Sequence, residues 1–129
     1  MTQSETSRPH PRILVADDEP INLRILQKLL EHCGLTCEVA HDGLECVQKA
    51  EEGQYDVVLM DINMPNLDGV AATREIARKL RPRGPKVIAV TANASAAQKS
   101  ECDAAGFSGF IPKPVRLSDL KKALATSLT

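Results

Sequence analysis

The 129-residue chain has no tryptophan and only three aromatic residues, Tyr55, Phe107 and Phe110. Three rings make no platform on which successive bases could stack, which excludes nucleic-acid binding by that route. An excess of one charge is missing as well: sixteen Lys and Arg stand against seventeen Asp and Glu, a net charge of −1. Without a basic surplus there is neither a counterion-releasing nucleic-acid surface nor a polybasic membrane anchor. No apolar run approaches the ~20 residues a bilayer requires. The N-terminal stretch MTQSETSRPHPR lacks the apolar core of a secretory signal. The four cysteines, Cys33, Cys37, Cys46 and Cys102, form no CxxC pair. A domain this size buries roughly two thirds of its unfolded surface and has no need of a disulfide framework. His32, Cys33, Cys37 and His41 lie close together in sequence, but Cys33 falls on a helix end and Cys37 on the next strand, without zinc-ligand spacing. The thiols read instead as small buried hydrophobes. GxGxxG, GxxxxGK[ST] and GxSxG are all absent, so no dinucleotide loop, NTP loop or hydrolase elbow is supported. The expectation that remains is a soluble, cytoplasmic domain with no direct nucleic-acid contact.

What is present is an alternation of two periodicities. Residues 1–11 are polar, with Pro9 and Pro11, and read as a flexible tail before a single domain over 12–129. Five short strands are expected at 13–16, 37–40, 57–60, 87–90 and 109–111, three of them continuous apolar runs of the kind covered on both faces. Helices fill the intervals. The first follows Pro20, with Leu26, Leu29, Leu30 and Cys33 on one face, Arg24, Lys28 and Glu31 on the other, and Gly34 as its stop. The second opens at Asp42-Gly43 and the third at Asp68 or Gly69. Ser95 caps the fourth, which Gly106 closes, and the fifth runs from Leu117 or Ser118 to about Ser127. Five successive βα units predict an α/β domain with a parallel sheet and right-handed crossovers. Five strands are too few for a (β/α)₈ barrel. An open, doubly wound sheet takes its ligands beyond the carboxyl ends of its strands.

At those ends the residues form a pattern. Strand one runs into Asp17-Asp18, strand three into Asp61, strand four into Thr91, and strand five into Lys113-Pro114. Any one of them has an ordinary explanation as a cap or a solvated loop residue. Independent caps, however, have no reason to gather on one rim. Three carboxylates together raise one another's pKa unless a cation compensates, and Lys113 supplies only one charge. A hard, oxygen-preferring ion is the natural remainder, and Mg²⁺ suits a site with few protein ligands and several waters. A hydroxyl, an ammonium and Mg²⁺ around a carboxylate make a receptor for phosphoryl oxygens. The carboxylate can itself be the nucleophile, and Asp61 is the candidate because it is single and central. A flavin phosphate is excluded, since Asp17-Asp18-Glu19 would repel it. None of the three histidines falls at a strand end, which argues against histidine acid–base chemistry.

The segments ILVADDEPINLRIL, YDVVLMDINMPNLDG, KVIAVTANA and GFIPKPV together carry a family resemblance. Over essentially all of residues 12–128 the sequence resembles the receiver domain of two-component response regulators. The resemblance implies a CheY-like, flavodoxin-like (βα)₅ sheet of order 2-1-3-4-5 in three α/β/α layers. It implies Asp61 as phosphoacceptor. Asp18, Asp61 and the backbone carbonyl of Asn63 would hold Mg²⁺, with Asp17 contributing through water. Thr91 and Lys113 would contact the phosphoryl group, and the Lys113–Pro114 bond would be cis. Phe110 falls at the family's switch aromatic: Thr91 moves toward the phosphoryl group, the ring swings in behind it, and the helix 4–strand 5–helix 5 surface changes. Phe107 is expected to be packing. Asn63 and Asn93 stand where members of the family tune hydrolysis of the acyl phosphate, and two small amides leave water room to approach.

The implied function is a phospho-accepting switch, not an enzyme with an external substrate, that catalyses only its own phosphorylation and dephosphorylation. Its implied partner is a histidine kinase or a histidine phosphotransfer domain. Arg24, Gln27, Lys28 and Glu31 are the side chains expected to be exposed for that choice, and a homodimer through the helix 4–helix 5 face is a further expectation. Two rivals belong to other classes. An aspartyl-phosphate phosphohydrolase of the haloacid-dehalogenase type prefers Asp two residues after its nucleophile, where this chain has Asn63, and needs a cap domain. A receiver-like binding module independent of phosphorylation would not need the complete residue set. Asp-Glu-Pro-Ile-Asn and Thr-Ala-Asn-Ala are similar to the wording of hybrid-kinase and phosphorelay receivers.

Overall fold

Continuous apolar segments become the centre of the sheet. In the computed structural model, which describes residues 11–64, 66–80, 82–93 and 95–128, the five strands are β1 (Ile13–Ala16), β2 (Glu38–Ala40), β3 (Val57–Asp61), β4 (Lys86–Thr91) and β5 (Gly109–Pro112). All pair in parallel, in the order β2-β1-β3-β4-β5. The helices are α1 (Pro20–His32), α2 (Gly43–Glu52), α3 (Gly69–Leu80), α4 (Ala96–Ala105) and α5 (Leu117–Ser127). Of the tail expected over 1–11, all but Pro11 lies outside the described residues. No described helix is long and apolar enough to cross a membrane.

Alternation along each strand sorts the buried side chains into two layers. Ile13, Val15, Val57, Leu59, Ile88, Val90 and Ile111 pack with Leu23, Leu26 and Leu30 of α1 and Leu120 and Leu124 of α5. Leu14, Ala16, Val58, Met60, Val87 and Ala89 face the other way, onto α2, α3 and α4 through Val47, Val70, Ile76 and Cys102. At ~25 cal/mol per Å² of apolar surface, these two layers are the main stabilising term of the domain.

The elements start and stop for local reasons. Pro20 occupies the first turn of α1, where a missing N–H costs nothing. Asp42 and Ser95 are side-chain N-caps, accepting from Glu45 N at 2.8 Å and Gln98 N at 3.2 Å. Asp68 Oδ1 accepts from Ala71 N at 2.8 Å over the first turn of α3. Gly106 ends α4 in the left-handed region, at φ 106°.

Small differences from the sequence expectation follow from tertiary contact. Pairing of β1 with β2 begins at Leu14–Glu38, so Cys37 falls outside the strand. β5 extends through Pro112, tolerated because β5 is an edge. On α1, Leu23 is buried while Leu29 and Cys33 are only half-buried. Gln27, expected to be exposed, is half-buried, whereas Ile21 and Ile25 are 72% and 48% exposed.

Candidate functional site

Sheet register alone brings the acidic residues level. Ala16 pairs with Met60, so Asp17 follows β1 at the height of Asp61, the last residue of β3. Asp61 pairs with Val90, placing Thr91 one step further out, and Thr91 pairs with Pro112, directly before Lys113. One carboxylate oxygen from each of Asp17, Asp18 and Asp61 lies within 4.8 Å of the others. Among the described residues this is the only set of three or more potential ligands that comes together, and His32, Cys33, Cys37 and His41 make no such set. Burial pushes the thiols of half-buried Cys37 and buried Cys46 up to about 11 and about 12.

The three carboxylates differ in environment. Asp18 is exposed, whereas Asp17 and Asp61 are buried. Asp17 Oδ1 accepts the Glu19 N–H at 2.9 Å, fixing the turn into α1. Its Oδ2 has no hydrogen-bond partner although it is buried, and the nearest cation, Lys113 Nζ, stands 3.7 Å away. Lys113 Nζ donates instead to Asp61 Oδ1 at 3.2 Å. Burial, and then the Asp17 charge, push the Asp61 carboxyl above its ordinary range; Lys113 and the Asn63 backbone N–H pull the other way without cancelling them. A buried carboxylate oxygen without a hydrogen bond, sharing its one ammonium with a second carboxylate of raised pKa, is a charge distribution short of one cation. An all-oxygen donor set with one exposed member is open to water and fits a hard divalent ion such as Mg²⁺.

Two backbone features hold this corner. A Cβ added to Gly69 would lie 2.3 Å from the Asp61 carbonyl oxygen, so only glycine lets α3 start this close to the end of β3. The Gly69 N–H donates to the Ile62 carbonyl at 2.8 Å across the same contact. The Lys113–Pro114 peptide is cis, and the Lys113 N–H donates to the Thr91 carbonyl at 2.8 Å.

Thr91 and Phe110 face the other layer. Thr91 has the parity of Val87 and Ala89 on β4, and Phe110 packs, partly buried, against the cluster beneath α3 and α4. The Thr91 hydroxyl is fully buried; it donates to Gln98 Oε1 of α4 at 2.7 Å and accepts the Asn93 N–H at 3.0 Å. The structure thus gathers Asp17, Asp18, Asp61 and Lys113 into one cluster, with Thr91 on the adjacent strand end turned toward α4. Asn63 is exposed at the start of the β3–α3 connection, its N–H on Asp61. Beside the cluster, a cleft of about 390 Å³ opens between α1 and the β5–α5 connection, its lining including Asp17, Ile25, Leu26, Val90, Lys113 and Val115.

Sequence reasoning missed Gln98 and the close approach at Gly69. Gly69 read as a helix start. The Ser95-x-x-Gln98 spacing was a signal, but for a capping box and not for a partner on β4.

A sequence model of the family described as response regulator receiver domain matches residues 13–125. The chain is 43% identical over 113 residues to the sensor histidine kinase RcsC of Salmonella typhi, covering 88% of this chain and 12% of that protein. It thus spans about one eighth of that curated relative's length. Among solved structures it resembles the receiver domain of sensor histidine kinase PA1611 from Pseudomonas aeruginosa PAO1, which has a magnesium ion coordinated in its active-site cleft. That likeness has a TM-score of 0.84 at 34% identity, over 92% of this chain and 98% of the other. A chain in the Saccharomyces cerevisiae co-crystal of the histidine phosphotransfer protein Ypd1 with the receiver domain of its downstream response regulator Ssk1 matches with a TM-score of 0.83 at 25% identity. Coverage there is 93% of this chain and 90% of that one.

Proposed function

The chain belongs to the response regulator receiver domain family, and from that premise we propose that it accepts a phosphoryl group on Asp61 from a phosphohistidine partner and passes the event to α4 and β5. The observation that carries the proposal is the buried Asp61, 3.2 Å from Lys113 Nζ and beside an Asp17 oxygen with no hydrogen-bond partner.

An Asp61 carboxylate oxygen attacks phosphorus, the P–O bond forms as the P–N bond to the donor imidazole breaks, and the imidazole leaves with the bonding electron pair. Little covalent help is needed; positioning and charge neutralisation carry the rate. Mg²⁺ held by Asp18, Asp61 and the Asn63 carbonyl, with Asp17 acting through water, would supply Lewis-acid neutralisation of the phosphoryl oxygens. Lys113 opposes the rise in the Asp61 pKa and then pairs with the phosphoryl oxygens. Thr91 donates a hydrogen bond to them and Phe110 follows inward, changing the α4–β5–α5 surface. Water attack on phosphorus, with room left by Asn63 and Asn93, returns Asp61 and inorganic phosphate.

The donor's docking surface is α1 with the adjoining cleft. Exposed Ile21 and Ile25 give it an apolar centre, and Arg24, Lys28 and Glu31 a polar rim. A histidine kinase or a histidine phosphotransfer domain fits that chemistry; Ypd1, co-crystallised with the Ssk1 receiver domain, is a protein of the second kind. Incubation with a phosphorylated histidine phosphotransfer domain tests the reading. Mg²⁺-dependent loss of label from the donor and its gain by this chain are expected, and no transfer with Mg²⁺ present would overturn it. Multiple turnovers of a small phosphomonoester would favour the phosphohydrolase class instead.

A further inference from the structure

Thr91 has one proton to give, and Gln98 holds it. The hydroxyl donates to Gln98 Oε1 at 2.7 Å while accepting the Asn93 N–H at 3.0 Å. Thr91 is fully buried, so its hydroxyl has no access to bulk water. A threonine hydroxyl is a single donor. A phosphoryl oxygen on Asp61 can receive that proton only after Gln98 has released it.

Gln98 is placed to couple the two events. It is the third residue of α4 after the N-cap Ser95, whose Oγ accepts the Gln98 N–H at 3.2 Å. Ser-x-x-Gln is the sequence of a reciprocal cap, in which the glutamine side chain turns back to the N-cap N–H. Here that N–H goes to Asn93 Oδ1 at 3.2 Å, and the Gln98 amide reaches the end of β4 instead. The first turn of α4 is therefore tied by a side chain to the residue that answers phosphorylation.

We propose that Gln98 is a positioning residue that holds the Thr91 hydroxyl toward α4 in the unphosphorylated state and competes with the phosphoryl group for its proton. Phosphorylation of Asp61 breaks the Thr91–Gln98 hydrogen bond and frees the first turn of α4. The inference rests on the phospho-accepting reading of Asp61. Removing the Gln98 acceptor raises the unphosphorylated state alone, because there the buried hydroxyl keeps the Asn93 N–H but has no acceptor for its own proton. Such a loss corresponds to a shift of about fivefold or more.

The test titrates beryllofluoride, a phosphoryl mimic, into the protein at fixed Mg²⁺, with bound fluoride read by ¹⁹F NMR. Wild type, Gln98→Met, Thr91→Val and the double variant are compared, with Gln98→Ala as a second removal of the acceptor. Gln98→Met and Gln98→Ala are expected to bind about fivefold tighter than wild type, and Gln98→Met is expected to change nothing once Thr91 is Val. Equal or weaker binding by both single Gln98 variants overturns the inference. So does a shift that survives in the Thr91→Val background, because a structural effect on α4 does not need the hydroxyl. Folded wild type that fails to bind beryllofluoride overturns the Asp61 reading, and the inference falls with it.

Discussion

The two rims of the same sheet treat charge in opposite ways. At the N-terminal ends of the strands, Arg12 donates to Glu38 at 3.0 Å and lies 4.7 Å over the Tyr55 ring, while the Tyr55 hydroxyl donates to Glu38 at 2.8 Å. The Arg12 N–H goes to Asp56 Oδ2 at 2.7 Å. The hydrogen bond from Tyr55, then that from Arg12, holds the Glu38 carboxyl below its usual value. At the C-terminal ends, three carboxylates face one ammonium, Asp61 is shifted up, and a buried Asp17 oxygen has no hydrogen bond. Hydrogen-bonded carboxylates close one rim; the other holds more negative charge than its one ammonium offsets. Titratable groups perturbed in this way gather at functional sites, which makes this rim the candidate.

The contrast can be broken most severely at Gly69. Gly69→Ala forces the start of α3 away from the Asp61 carbonyl and is expected to cost about 3 kcal/mol, measured by urea unfolding. Adding a divalent cation comes next. Mg²⁺ at a hundredfold excess over its Kd is expected to stabilise wild type by about 2.7 kcal/mol. Asp18→Ala is expected to lose most of that gain at the same concentration, read as the Mg²⁺-dependent rise in Tm.

A smaller effect has the reverse sign from an ordinary active-site deletion. In Mg²⁺-free buffer Asp61→Asn is expected to raise stability by about 1 kcal/mol, a few degrees in Tm. Its pH dependence follows from linkage. The folded pKa of Asp61 lies above the unfolded one, so the native state holds the extra proton between the two values. Stability in Mg²⁺-free buffer therefore falls as pH rises from the ordinary aspartate value through Asp61's raised one. Asp61→Asn flattens that descent, which urea denaturation across acidic pH measures. Glu38 works oppositely: its folded pKa is lowered, so its contribution is present above the ordinary glutamate value and is lost as pH falls through the depressed one. Glu38→Gln is expected to cost only about 0.5 kcal/mol, because that rim is solvated.

Much of this was legible in the sequence because it depends on local pattern. The runs at 13–16, 57–60 and 87–90 announced central strands, and Asp42, Ser95 and Gly106 marked helix ends by their own chemistry. Asp17, Asp61, Thr91 and Lys113 could be placed on one rim because every strand of a parallel sheet ends on the same side. Whatever depended on a neighbour distant in sequence stayed hidden. Ser95-x-x-Gln98 gives no sign that Gln98 leaves its cap for Thr91. Nor does Asp68-Gly69 reveal that the glycine lies against the Asp61 backbone. On α1, helical spacing could not tell that Gln27 would be half-covered while Ile21 and Ile25 stood in solvent. The ends of β2, β3, β4 and β5 were each misplaced by a residue, because pairing with the neighbouring strand, not composition, sets them.

The most direct test of the unmatched rim is intact mass after incubation with Mg²⁺ and acetyl phosphate, with Asp61→Asn alongside. The account predicts a Mg²⁺-dependent gain of one phosphoryl group in wild type and none in the variant. No gain in folded, Mg²⁺-binding wild type, or an equal gain in Asp61→Asn, would contradict it.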